Sequence, residues 1–165
     1  MCGVAGFLMD SESSSSMNFD LITKKMTDSI KHRGPNDSGC WNNPCDGIAL
    51  GHRRLSILDL SDAGHQPMES SNGRYVIAFN GEIYNHLQIR SDIEKNNENL
   101  SWKGHSDTET ILNAFETFGI QKSLEKFVGM FAFSLWDKKN KILTLARDRL
   151  GEKPMYYGWQ NTIKG

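Results

Sequence analysis

Apolar positions along this chain switch between a period of two and a period near 3.6, and the switches mark its elements. "CGVAGFLM" at the start is a short apolar run that reads as a buried strand, and "DSESSSS" after it is a polar excursion. Phe19, Ile22, Met26 and Ile30 then recur at helical spacing, which predicts an amphipathic helix ending near "HRGP". "HRGPNDSG" is loop chemistry. "GIALGHRRLSIL" and "YVIAFNG" read as strands joined by an irregular connection, "DLSDAGHQPMESSNG", and after them Ile83 and Leu87 are spaced as a helix would space them. "SDTETILNAFETFG" is the clearest helix: Ser106 and Glu109 form a capping box, Ile111, Leu112, Phe115 and Phe118 share a face, and Gly119 supplies the stop.

"FVGMFAFSLWD" differs from the other strands because both alternating faces are apolar, Phe131, Phe133 and Leu135 on one, Met130, Ala132 and Trp136 on the other. A sheet wet on one side would not carry such a strand. The polar "DKKNK" turns the chain into "ILTLARD", an antiparallel partner, and "MYYGWQ" reads as one more strand with no return strand after it. Strands covered on both faces, with separate helices early and in mid-chain, predict stacked sheets with helices outside, a layered α+β fold.

Length and charge narrow the function classes. At 165 residues the chain is one domain or most of one, burying roughly 70% of the surface its unfolded form exposes. Its net charge is −1 with no long block of either sign, so nothing recruits nucleic acid or an anionic membrane. The apolar runs fall far short of the ~20 residues a spanning helix needs, and no basic region followed by an apolar one opens the chain as a secretory signal. Three cysteines, Cys2, Cys40 and Cys45, are an odd number and form no disulfide framework, so a reducing, cytoplasmic setting is expected.

Within these bounds a few stretches carry chemistry. Cys2 follows the initiator methionine; with Met1 trimmed, it would hold a thiol and a free α-amino group on one residue, nucleophile and base together. A buried structural cysteine is the plain alternative. Arg54 ends a predicted strand, where its planar fork suits a carboxylate bidentately, although a surface arginine would look the same. Asn80 and Gly81 read either as a tight hairpin turn or as two rigid donors for an oxyanion. Asp107 lies in the first turn of a helix, where the helix dipole alone favours an acid. Cys40, Cys45 and His52 lack the paired spacing of a zinc site, and nothing selects among His32, His52 and His86 as partner for a cysteine.

"MCGVAGF", "HRGPNDSG", "GHRRLSILDLSDAGHQPM", "FNGEIYN", "SDTE", "GMFAFSLWD" and "RDRLGEKPMYYG" occur in an order that resembles the N-terminal glutaminase domain of glutamine-hydrolysing asparagine synthetases, the class II glutamine amidotransferases. The resemblance runs from Cys2 to about Gly158. It implies a four-layer αββα sandwich of two stacked, mainly antiparallel sheets, of the N-terminal-nucleophile hydrolase type. It further implies Cys2 as nucleophile with its own α-amine as base, and Asn80 and Gly81 as the oxyanion-hole pair. Arg54 matches the arginine that holds the glutamine α-carboxylate. Glu82 and Asp107 match the acids around the α-amino group, and the backbone of Ile57 and Leu58 matches a wall of the same pocket. Arg33 and Gly34 match a supporting loop beside the nucleophile.

The implied reaction is hydrolysis of L-glutamine to glutamate and ammonia through a γ-glutamyl thioester, without a cofactor or metal for this half. The family continues into a synthetase domain that binds ATP and Mg2+ and makes asparagine from aspartate, and the resemblance is compatible with a homodimer of the intact protein. Residues 1–165 are thus expected to be a glutaminase domain that stops short of its C-terminal end, with the synthetase domain absent. Asn36 departs from the "HRGPD" pattern of the family it resembles, and Arg53 stands where family members vary. Three other readings stay open: a glutaminase half serving another carboxylate in surface-polysaccharide or natural-product synthesis, a non-catalytic glutamine-binding fragment, and a zinc or redox module built on the cysteines.

Overall fold

The computed structural model describes residues 2–10, 17–55, 64–97 and 100–159. In chain order the elements are β1 Gly3–Leu8, α1 Phe19–Ser29, a 3-10 turn Lys31–Arg33, β2 Asp37–Asn43, a 3-10 turn Pro44–Asp46, β3 Ile48–Arg54, β4 Met68–Glu69, β5 Tyr75–Ile83, α2 His86–Asn96, α3 Asp107–Phe118, α4 Ile120–Lys126, β6 Gly129–Asp137 and β7 Ile142–Arg147. They form two antiparallel sheets, β1-β3-β2 and β4-β5-β6-β7.

The alternation along β3 sets the layers. Ile48 and Leu50 face the second sheet and pack with Val76, Ala78 and Trp136 in the seam between sheets. Gly51, next along the strand and on the opposite face, meets α1 so closely that a Cβ would overlap the Thr27 methyl group. On the far side of the second sheet, Ile77, Phe133 and Leu135 bury against Ile89, Ile93, Ile111 and Phe115 of α2 and α3. The order α1, sheet, sheet, α2 with α3 is the expected αββα sandwich, and β6 is apolar on both faces because it lies between seam and helices. Among the described residues no helix is long and apolar enough to cross a membrane.

Several expectations need correction. Part of "HRGPNDSG" is not loop: β2 starts at Asp37 and pairs with β3 along its full length. It is a partly exposed edge strand, and such strands are polar enough to hide from a hydrophobic pattern. Strand β5 does not end at Asn80–Gly81 but runs through them to Ile83, which excludes the hairpin-turn reading. Ile83 is therefore a strand residue, while Leu87 is exposed; α2 buries Ile89, Arg90 and Ile93 instead. The capping box is half formed. Ser106 Oγ accepts the Thr108 N–H at 3.0 Å, but Glu109 accepts the N–H groups of Lys103 (2.7 Å) and Gly104 (3.0 Å). "MYYGWQ" is no strand over its described residues, where Tyr156, Tyr157 and Trp159 are exposed and neither sheet runs alongside.

Candidate active site

The first sheet delivers a thiol and a guanidinium to one end of the seam. Cys2 immediately precedes β1 and, by strand parity, shares the face of Val4, which packs in the seam. Its carbonyl accepts Arg33 Nε–H at 3.1 Å, and its Sγ accepts the Leu55 N–H at 3.4 Å, with the Leu55 carbonyl 3.7 Å away. Gly34 permits this arrangement, because a Cβ there would overlap the Arg53 and Arg54 backbone. Parity separates the two arginines. Arg53 faces α1, donates Nε–H to the Thr27 carbonyl at 3.0 Å and pairs with Asp28. Arg54 faces the seam end, only 8% exposed, with Gly64 lying directly against its guanidinium.

The second sheet and α3 delivered the acids and amides. Asn80, Gly81 and Glu82 lie near the end of β5, just before its last residue Ile83, and Gly81 must lack a side chain because a Cβ would overlap the Met130 carbonyl of β6. Asp107 opens α3, and its Oδ2 accepts the Ile83 N–H at 3.0 Å. Burial pushes the Asp107 carboxyl up to about 6; the nearby Glu82 charge adds to that, while the N–H groups of Ile83 and Thr108 oppose it. A brace holds the approach to α3: Arg90 donates to the carbonyls of Gly104 and Ser106, both at 3.0 Å, and lies over the Trp102 ring.

These pieces converge on one cleft lined by Cys2, Arg54, Asn80, Gly81, Glu82 and Asp107, with Leu55 and Met130 as apolar wall. Arg33 and Gly34 stand behind Cys2. Ile57 and Leu58, expected to form a wall of the pocket, lie outside the described residues.

Among the polar side chains that line the cleft, Gln66, Thr108 and Lys153 carry no role predicted from the sequence. Lys153 reaches the cleft through Asp148, whose carboxylate accepts N–H groups from Phe131, Leu150, Glu152 and Lys153 at 2.9–3.2 Å. Burial would raise the Asp148 carboxyl, but these donors outweigh it and hold it below the ordinary carboxylate range. The repeated acids and glycine of "RDRLGEKP" were the available signal.

His52 is fully buried in the seam, donating Nε2–H to the Phe79 carbonyl at 2.9 Å, and burial pushes it down to about 4. It is a neutral structural histidine. Cys40 lies on the opposite sheet face from His52, against Thr27, and among the described residues no three His, Cys, Asp or Glu side chains cluster as metal ligands.

Residues 1–164 match the family described as glutamine amidotransferase domain. A Methanocaldococcus jannaschii protein provisionally named glutamine-hydrolyzing asparagine synthetase 2 is 38% identical over 96% of the chain and 32% of its own length. Glutamine-hydrolyzing asparagine synthetase 1 of Bacillus subtilis is 35% identical over 95% of the chain and 24% of its own length. The chain thus spans about a quarter to a third of these curated relatives. A solved structure, glutamine phosphoribosylpyrophosphate amidotransferase of B. subtilis, superposes with a TM-score of 0.61 at 20% identity, covering 88% of this chain and 37% of that one, which is a likeness of fold. With that fold, and a family match over nearly every residue, the chain belongs to the glutamine amidotransferase domain family, and glutamine-hydrolysing asparagine synthetases are among its relatives.

Proposed function

We propose that this chain hydrolyses L-glutamine to glutamate and ammonia at Cys2. The carrying observation is that one cleft holds a thiol, a buried guanidinium and a buried carboxylate. Free glutamine is a zwitterion with an apolar stem and a terminal amide, and this cleft offers a counterpart to each part. Arg54 pairs with the α-carboxylate as a planar fork, Asp107 and Glu82 take the α-ammonium, and Leu55 and Met130 flank the stem. Ile57 and Leu58 are proposed to complete the wall, and Arg33 with Gly34 to hold the Cys2 backbone.

In the proposed sequence, removal of Met1 frees the α-amine of Cys2. That amine, with a reference pKa of about 7.7–8.0, takes the thiol proton as Sγ attacks the side-chain carbonyl carbon. The tetrahedral oxyanion is held by Asn80 and the Gly81 N–H. The C–N bond then breaks, the proton passes to the leaving nitrogen, and ammonia departs from a γ-glutamyl thioester. Water adds to the thioester, and glutamate leaves with the thiol restored. The glutaminase half needs no cofactor. ATP and Mg2+ belong to a covalently following synthetase domain that aminates aspartate, in a cytoplasmic and homodimeric protein.

The test is the intact mass of the purified chain before and after exposure to 6-diazo-5-oxo-norleucine. Loss of Met1 followed by one adduct, mapped to Cys2, is the expected result. A processed chain that takes no adduct rules the reading out.

A further inference from the structure

One edge of β5 is finished by side chains. Strand β4 covers that edge at Val76 and Ile77, and among the described residues Phe79, Gly81 and Ile83 follow without a neighbouring strand. Backbone N–H groups alternate between the two edges of a strand, so these three point the same way, away from β6. The outer two end on side-chain oxygens: Phe79 N–H on Gln66 Oε1 at 2.7 Å and Ile83 N–H on Asp107 Oδ2 at 3.0 Å. Between them the Gly81 N–H opens on the cleft.

Gln66 joins more than one element. Because its oxygen must meet the Phe79 N–H, its Nε2 faces α3 and donates to Thr108 Oγ1 at 3.2 Å. Its own carbonyl sits where a Cβ on Gly39 of β2 would be, which seats it on the first sheet. Its side chain is buried, leaving 6% of the residue exposed. Gln66 therefore touches the sheet that carries Cys2, the strand that carries Asn80 and Gly81, and the helix that starts at Asp107.

We propose that Gln66 is a positioning residue, fixing the oxyanion donors of β5 relative to Asp107 and so setting the separation between the two ends of bound glutamine. The inference rests on the glutaminase reading. It differs from a plain stabilising role in what it predicts for each titrated site, since a donor pair shifted by a fraction of an ångström slows chemistry without emptying the pocket.

The experiment compares wild type, Gln66→Leu and Gln66→Glu in the same full chain. Turnover is normalised to sites titrated with 6-diazo-5-oxo-norleucine, and amide exchange is followed at Phe79 and Gly81. Gln66→Leu is expected to lower kcat per site about 10–100-fold with KM changed less than about 3-fold, and to speed exchange at Phe79 about 10-fold or more. Gln66→Glu keeps an oxygen for the Phe79 N–H and is expected to recover at least about a third of wild-type kcat. Wild-type kcat per titrated site in Gln66→Leu overturns the proposal. Should wild type fail to hydrolyse glutamine, the glutaminase reading falls, and exchange still decides the clamp: unchanged protection at Phe79 in Gln66→Leu overturns it.

Discussion

At the scale of single residues, the site concentrates charge where folding would rather have none. The Asp107 carboxyl is held at about 6 by burial against an ordinary value of 3.8. Between those two values the folded chain binds more protons than the unfolded one, so stability from this group falls as pH rises from about 4 to 6. Above 6 the ionised, buried carboxylate costs about 3 kcal/mol. Asp107→Asn keeps an oxygen for the Ile83 N–H and removes the charge. It is expected to be more stable than wild type at pH 7.5 by about 1–3 kcal/mol in urea, with the difference shrinking toward pH 4. His52 works in the opposite direction over a similar window, because the unfolded chain protonates first as pH falls. Both proteins carry His52, so it cancels from the comparison. The same substitution is expected to raise the KM for glutamine about 10-fold or more through loss of the ammonium partner. An Asn variant that is less stable than wild type at pH 7.5 would contradict the burial argument.

At the scale of elements, the start of α3 is the part on which the acidic end of the cleft depends. Ser106 caps that start, and Asp107 occupies its first turn. Ser106→Ala is expected to cost about 1 kcal/mol, seen as a lower urea midpoint at unchanged slope, together with a higher KM for glutamine. An unchanged midpoint would mean that the Arg90 brace alone holds the helix start. This helix was legible in the sequence because its period, cap residue and terminal glycine agree. The order of motifs along the chain likewise groups Cys2, Arg54, Asn80, Gly81, Glu82 and Asp107 into one set, through the family resemblance it carries. Strand β2 was not legible, because an edge strand has too few buried positions to show a period. Nor was Gln66, whose neighbours in sequence are polar and irregular; its importance comes from a hydrogen bond to Phe79, thirteen residues on. The strand parity that separates Arg53 from Arg54 could be read from "GHRR" once β3 was known, but the sequence alone does not say which face the seam covers.

At the scale of the whole molecule, the cleft exists only because two sheets stay in register. Cys2 and Arg54 come from one, Asn80, Gly81 and Glu82 from the other, and the fully buried apolar part of the seam between them, as described, is Ile48, Leu50, Val76, Ala78 and Trp136, with Val4, Trp41 and Leu143 packed against it. The larger cluster, with Phe115, Phe127 and Phe133, holds the helices to the second sheet and does not set the distance between sheets. Two substitutions of comparable severity therefore have different consequences. Trp136→Phe loosens the seam, and Phe115→Leu loosens the helix layer, each destabilising by about 0.5–3 kcal/mol. Well below both melting temperatures, Phe115→Leu is expected to keep the wild-type rate of Cys2 alkylation by 6-diazo-5-oxo-norleucine. Trp136→Phe is expected to slow it about 10-fold, since a shift of one sheet against the other moves the thiol away from the oxyanion donors. Equal rates in the two variants would place the rigidity of the cleft in the local bonds at Gln66, Leu55 and Asp107 rather than in the packing between sheets.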